Sequence, residues 1–284
     1  MWLKKALISL LLLICPCAFC YGQVSFSGVN GERGYVAVRA AYDWNLDNGF
    51  FLVPSYGYYR MSDKDIDEAG STSRYGLKAL YELSDAWLVG AEGFWQPKAL
   101  GYQAVGYLAD AKWIPFYRLG SFTNPYVGFQ AGQIRYKSYV DEQGVDLASG
   151  PFSQVETSAQ IEAGADLKQW RFNAVWHKVI KYKNSAPQNV SFSWADVPFM
   201  TAVLQGFIKE TAALRVSYQT DLITPYLAWA QYRYATLNDA AAAVSAGVHL
   251  RLWEVDFSAG LEVFEPKRKE TRKTFFSVSA EVEF

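Results

Sequence analysis

From Val155 to Lys168 the chain alternates without a break. Val155, Thr157, Ala159, Ile161, Ala163, Ala165 and Leu167 fall on one face; Glu156, Ser158, Gln160, Glu162, Gly164, Asp166 and Lys168 fall on the other. A helix would scatter these charges around every side, whereas a strand sends successive side chains to opposite faces. The segment therefore reads as a strand with one apolar and one wet side. The same texture recurs along the chain. Val36, Val38, Ala40, Tyr42 and Trp44 oppose Arg39 and Asp43, and Tyr75, Leu77, Ala79, Tyr81 and Leu83 oppose Arg74, Lys78 and Glu82. Trp87, Val89, Ala91, Gly93 and Trp95 oppose Glu92 and Gln96, and Trp170, Phe172, Ala174 and Trp176 oppose Arg171, Asn173 and His177. Leu214, Val216 and Tyr218 oppose Arg215, Ser217, Gln219 and Asp221. Val244 to Leu252 and Val255 to Val263 repeat the pattern, with Ser245, His249, Arg251, Asp256, Ser258 and Glu262 on the polar side. Asp47-Asn48-Gly49 reads as a tight hairpin turn, because Asn-Gly accepts positive φ cheaply. Segments near 50–60, 101–113, 125–138, 199–209 and 225–235 are apolar and aromatic with a less definite phase.

Aromatic residues make up 17% of the chain, yet after the first residues no apolar stretch approaches the length of a spanning helix. Many half-apolar strands that meet lipid must close into a barrel, because an open sheet edge cannot be satisfied there. Barrel strands are apolar only at every second position, which keeps mean hydropathy near zero, as it is here. Lys+Arg at 27 against Asp+Glu at 28 gives no sign of a nucleic-acid binder.

Both ends of the sequence carry further signals. Lys4 and Lys5, the apolar run Ala6 to Ile14, and small residues before Gln23 read as a secretory signal over 1–22. All three cysteines, Cys15, Cys17 and Cys20, lie inside it, so the exported chain is expected to have no disulfide, thiol nucleophile or cysteine zinc site. The final strand puts Phe276, Val278, Ala280, Val282 and Phe284 on one face, with Ser277, Ser279, Glu281 and Glu283 opposite. This alternating strand with a terminal Phe, together with the N-terminal segment and the strand texture, resembles bacterial outer-membrane β-barrel proteins of the porin-like class. The resemblance implies an all-β fold, a transmembrane antiparallel up-and-down β-barrel of about 14–16 strands over 23–284 as one domain. It also implies a location in the bacterial outer membrane after signal cleavage. Phe276, Val278, Ala280, Val282 and Phe284 would be the signal read by the barrel-assembly machinery, and outer-membrane lipid and lipopolysaccharide would be partners. A monomer or a small homo-oligomer is expected.

About fourteen strands can be counted from residue 34 onward, and weaker candidates at 23–29 and 189–195 raise the number to about sixteen. Bacterial barrels keep short turns on the periplasmic side and long loops outside. With sixteen strands, the turns at 46–48, 84–85, 168–169, 223–224 and 253–254 share one side. The loops at 61–72, 139–153, 183–188 and 266–273 then share the other. Parity favours sixteen, at the cost of a short strand at 189–195 and a long periplasmic connection at 114–124.

Trp44, Trp87, Trp95, Trp113, Trp170 and Trp253 lie close to proposed turns or loops, where aromatic girdles meet lipid headgroups. The wet face supplies candidate lumen-lining residues: Arg39, Asp43, Lys78, Glu82, Glu92, Asp110, Lys112, Glu162, Asp166, Arg171, His177, Arg215, Asp221, Arg233, His249, Arg251, Asp256 and Glu262. Glu156, Glu281 and Glu283 belong to the same face. A barrel this wide is not filled by side chains alone. Its mixed charges either line water or pair across the lumen and plug it, and the sequence leaves both open.

An enzyme is the rival reading, and it has little to work with. Ser245 precedes His249 by four residues on one face, about 13 Å along a strand, too far for a Ser–His hydrogen bond. The acidic run Asp63, Asp65, Asp67, Glu68 lacks the glycine and later glutamate of a calcium loop. Lys267, Arg268, Lys269, Arg272 and Lys273 form a basic cluster that would meet lipopolysaccharide phosphates or stay solvated. No cofactor, metal or catalytic residue is expected, and the role foreseen is passive passage of small polar solutes.

Overall fold

The computed structural model describes residues 22–46, 48–63, 68–99, 102–115, 122–138, 153–183, 207–235, 240–266 and 272–283. They form fourteen strands: β1 (Gly22–Gly31), β2 (Tyr35–Asn45), β3 (Phe50–Asp63), β4 (Glu68–Ser84), β5 (Trp87–Ala99), β6 (Tyr102–Trp113), β7 (Phe122–Ser138), β8 (Ser153–Leu167), β9 (Trp170–Tyr182), β10 (Ile208–Tyr218), β11 (Ile223–Tyr234), β12 (Ala240–Leu252), β13 (Val255–Pro266) and β14 (Lys273–Glu283). Each strand pairs antiparallel with its chain neighbours. β1 closes on β14 from Gln23↔Glu283 to Gly31↔Phe275, so the sheet has no edge. Closure matters because unpaired backbone groups in hydrocarbon cost several kcal/mol each.

The strand number corrects the sixteen that parity favoured. Residues 23–29 do form a strand, β1, hydrogen-bonded on both sides. The segment at 199–209 is not a strand of its own where it is described. Ile208 opens β10, which runs on through a bulge between Ile208 and Glu210 to Tyr218. The candidate at 189–195 lies outside the described residues. Two strands fewer leaves parity unchanged, so the side assignment survives. The turns after β2, β4, β8, β10 and β12 share one end with the start of β1, hereafter the turn end. The connections after β1, β3, β5, β7, β9, β11 and β13 share the other, the loop end. At the turn end Asn48 and Gly49 both have positive φ, 54° and 75°, a region that Asn and Gly enter at low cost, and Leu46 N–H donates to Phe50 O across the turn at 2.9 Å.

Register fixes a common phase around the ring. Outward positions carry Tyr75, Leu77, Trp95, Tyr107, Phe129, Ile161, Leu214, Leu227, Trp229, Val244, Leu261, Phe276 and Val278, all exposed. Trp87 and Trp113, 6.4 Å apart, and Trp170 against Tyr218, 4.9 Å apart, mark the turn-end rim, while Trp95 stacks on Tyr75 nearer the loop end. Val278, Ala280 and Val282 of the final strand face outward, opposite Gly28, Phe26 and Val24. Phe284 lies outside the described residues.

Candidate functional site: the lumen

Inward positions alternate with the outer apolar set on every strand. The registers place Arg39, Asp43, Lys78, Glu82, Glu92, Asp110, Lys112, Glu162, Asp166, Arg171, His177, Arg215, His249, Arg251, Asp256 and Glu262 on the inner face. Two of the expected residues differ. Asp221 sits in the exposed turn between β10 and β11, past the last paired residue of β10. Arg233 faces outward, opposite Glu210, with their side chains 3.4 Å apart.

Neighbouring charges on the inner wall pair. Arg171 donates two hydrogen bonds to Asp166, at 2.8 and 3.1 Å, and Asn124 adds a third at 2.9 Å. Lys78 lies 3.2 Å from Asp110, Arg74 lies 3.4 Å from Glu92, and Arg251 approaches Asp256 at 3.9 Å. Arg215 contacts His249 and stacks over the Tyr226 ring at 4.0 Å. His249 is thus engaged by Arg215, while Ser245 stands two inward positions nearer the loop end. Such pairs hold long side chains against the wall.

Inward aromatics are flattened the same way, by glycines on adjacent strands. A Cβ added to Gly106 would come within 2.0 Å of Phe94, one on Gly31 within 2.0 Å of Phe275, and one on Gly247 within 2.5 Å of Tyr226. Each glycine is the direct cross-strand partner of its ring. The rings occupy the space a side chain would take and so lie along the wall.

Small residues on β14 and β1–β3 leave the interior open there. A cavity of about 270 Å³ is lined by Ser25, Ser27, Ala41, Ser55, Gly57 and Ser279, with Arg39, Arg74, Glu92 and Glu281 supplying charge. Arg39 sits over the Tyr59 ring at 5.4 Å, and Arg74 over Phe94 at 3.9 Å.

Toward the loop end the inner face turns apolar. Tyr35, Tyr59, Phe94, Ile134, Tyr136, Phe207, Tyr232, Phe264 and Phe275 belong to one buried cluster. Tyr136 and Phe207 meet edge-on at 5.0 Å, and Tyr35 meets Phe275 at 5.8 Å. Glu156 is held inside this layer by the Tyr136 hydroxyl at 3.2 Å. Lys273, expected in a basic loop, instead turns inward on β14, 2% exposed, its Nζ 6.0 Å from the Phe264 ring. Lys267, Arg268 and Lys269 lie outside the described residues, and Arg272 pairs with Glu265 at 3.0 Å. Sequence reasoning missed this layer, although Phe94 stands between Glu92 and Gln96, and Phe275 two residues before Ser277, both on the wet face.

A closed ring of fourteen antiparallel strands, apolar outside and charged within, finds its counterparts among solved membrane proteins. The monoaromatic hydrocarbon channel CymD superposes with a TM-score of 0.55 at 12% identity, covering 93% of this chain and 88% of that one. OccAB1 of Acinetobacter baumannii gives 0.52 at 5% identity, covering 93% and 95%. A bacterial polysaccharide outer membrane secretin gives 0.51 at 9%, covering 93% and 98%. The chain has the fold of a bacterial outer-membrane β-barrel. No protein-family model matches the sequence, and no curated protein matches it either. At these identities the likeness is one of architecture.

Proposed function

We propose that this barrel is a porin-like channel of the bacterial outer membrane, passing small polar solutes through a charged lumen. The observation that carries the reading is the cavity of about 270 Å³ between β14 and β4, walled by serines and alanine with Arg39 and Glu281 in reach of a solute. Hydroxyls on such a wall exchange hydrogen bonds with a polar solute and replace part of its water shell. Ion-paired neighbours keep the wall wet without a single-sign field that would trap an ion. The solute class is small and polar, sorted by size and then by charge.

A second reading has its own support. The apolar layer at the loop end, with Phe264 and Tyr232 fully buried, favours a plugged barrel that carries no current. Planar bilayers decide between the two. The channel reading expects stepwise conductance from purified protein. Its absence, in protein whose gel mobility still changes on heating as a closed barrel's does, overturns the channel and leaves the plugged barrel.

A further inference from the structure

The outer face carries a second pattern, separate from the lumen. Among the described strand residues, its charged side chains all stand at the loop end. They are Arg60 on β3, Arg135 and Lys137 on β7, Lys178 and Lys181 on β9, Glu210 on β10 with the exposed Lys209 in the bulge beside it, Arg233 on β11 and Glu265 on β13. The turn-end rim of the same face closes instead on Trp44, Trp87, Trp113 and Trp170. Six of the nine charges fall on β7, β9 and β10, and Arg233 extends the row to β11. At about 4.8 Å per strand the arc is about 19 Å wide. Its one acid is occupied: Glu210 accepts a 2.8 Å hydrogen bond from the Trp176 indole and lies 3.4 Å from Arg233. Lys178 stands 5.7 Å from the Trp176 ring. Directly below, toward the turn end, the same strands present Phe129, Ile161, Leu214, Leu227 and Trp229, all exposed.

We propose that the arc of Arg135, Lys137, Lys178, Lys181, Lys209 and Arg233 seats a phosphorylated glycolipid of the outer leaflet. Its phosphates would lie on the cations and its acyl chains on the apolar face beneath. The inference rests on the reading that the loop end faces outside in an outer membrane. Three features point to this occupant. The charge is basic where an anionic headgroup lies, it is confined to one end of the barrel as that lipid is confined to one leaflet, and its width suits a headgroup bearing more than one phosphate. Glu210 holds Trp176 and Arg233 in place at the boundary, where an indole sits at headgroup depth. Each cation near such a surface strengthens attachment, and the attraction falls with added salt.

Native mass spectrometry of the folded barrel tests this. Protein in micelles is exposed to bisphosphorylated lipid A, to phosphate-free lipid A or to phosphatidylglycerol, then washed, and the lipid retained is counted. Wild type is expected to keep bisphosphorylated lipid A at least about tenfold better than the triple variant K178Q/K181Q/K209Q. The distant Arg60→Gln variant should match wild type. Raised salt should strip the lipid from wild type. Equal retention by the triple variant, equal retention of phosphate-free lipid A or phosphatidylglycerol, or insensitivity to salt would each overturn the proposal. Folding of each variant is checked by its heat-dependent gel mobility. Conductance is read on the same samples, so arc-dependent retention by a barrel without current would refute the channel while leaving this site standing.

Discussion

Phe94 lies flat over Gly106, its cross-strand partner, where a Cβ would approach the ring within 2.0 Å. The ring then carries the Arg74 guanidinium on its lumen side, 3.9 Å from the ring centre, with Glu92 3.4 Å from the same arginine. One absent side chain on β6 thus sets where a charge on β4 stands. The Gly106→Ala substitution should lift the ring off the wall and push Arg74 into the cavity. Overpacking of this kind costs about 1–3 kcal/mol. A lower single-channel conductance and a lower urea midpoint are expected, and a conductance equal to wild type would show that the ring does not border the path.

Phe275 and Tyr35 meet edge-on at 5.8 Å in the apolar layer at the loop end. If that layer is the narrowest part of the path, removing a ring widens it. Phe275→Ala should raise conductance while lowering stability by about 3 kcal/mol, the usual effect of emptying a buried aromatic site. Bilayer recording together with urea unfolding checks both signs.

Arg39 is the cation of the cavity between β14 and β4 that projects over the Tyr59 ring, between the serines of β1 and β3. Arg39→Glu should move the reversal potential, measured across a salt gradient, toward cation preference. Conductance itself should change little, because the cavity keeps its small-residue wall.

Asp166 is held by two Arg171 nitrogens and by Asn124, with its side chain only 6% exposed. Charge-assisted hydrogen bonds at such a position are worth about 1.5–3 kcal/mol each, and half-exposure of Arg171 discounts the pair. Arg171→Ala should lower the unfolding midpoint and loosen the β8–β9 hairpin in hydrogen exchange. Arg251→Ala, whose carboxylate partner stands 3.9 Å away, should cost much less.

Much of the fold was legible because one period repeats around the barrel. Val155 to Leu167 and Phe276 to Val282 read outward from sequence, and both do so in the structure. Two departures, Arg233 and the inner aromatic layer, share a physical cause, since polarity inverts near the loop end. There the outer face takes Arg135, Lys178 and Arg233, while the inner face is lined by Tyr136, Tyr232 and Phe264. Arg233 was misplaced by extending the apolar-outward rule past the depth at which it holds. Asp221 was misplaced because β10 ends three residues earlier, at Tyr218. Strand number was hidden by the 199–209 segment, whose hydrophobicity resembles a strand of its own, whereas Ile208 and Lys209, among its described residues, open β10. How Arg39 and Arg74 come to share one cavity with Glu281 depends on register across β14, β1, β2, β3 and β4, which alternation within a strand cannot supply.

The central claim is that lipid covers one face of every strand and water the other. A chain beginning at Gly22 has no native cysteine, so single cysteines can report on each face. Leu227→Cys and Leu261→Cys probe the outside; Ser27→Cys and Ser55→Cys probe the cavity wall. In lipid vesicles, a charged, water-soluble thiol reagent should modify the cavity cysteines rapidly and reduce the current, while the outer pair reacts only with an apolar reagent. Equal modification of both pairs by the charged reagent would contradict the account.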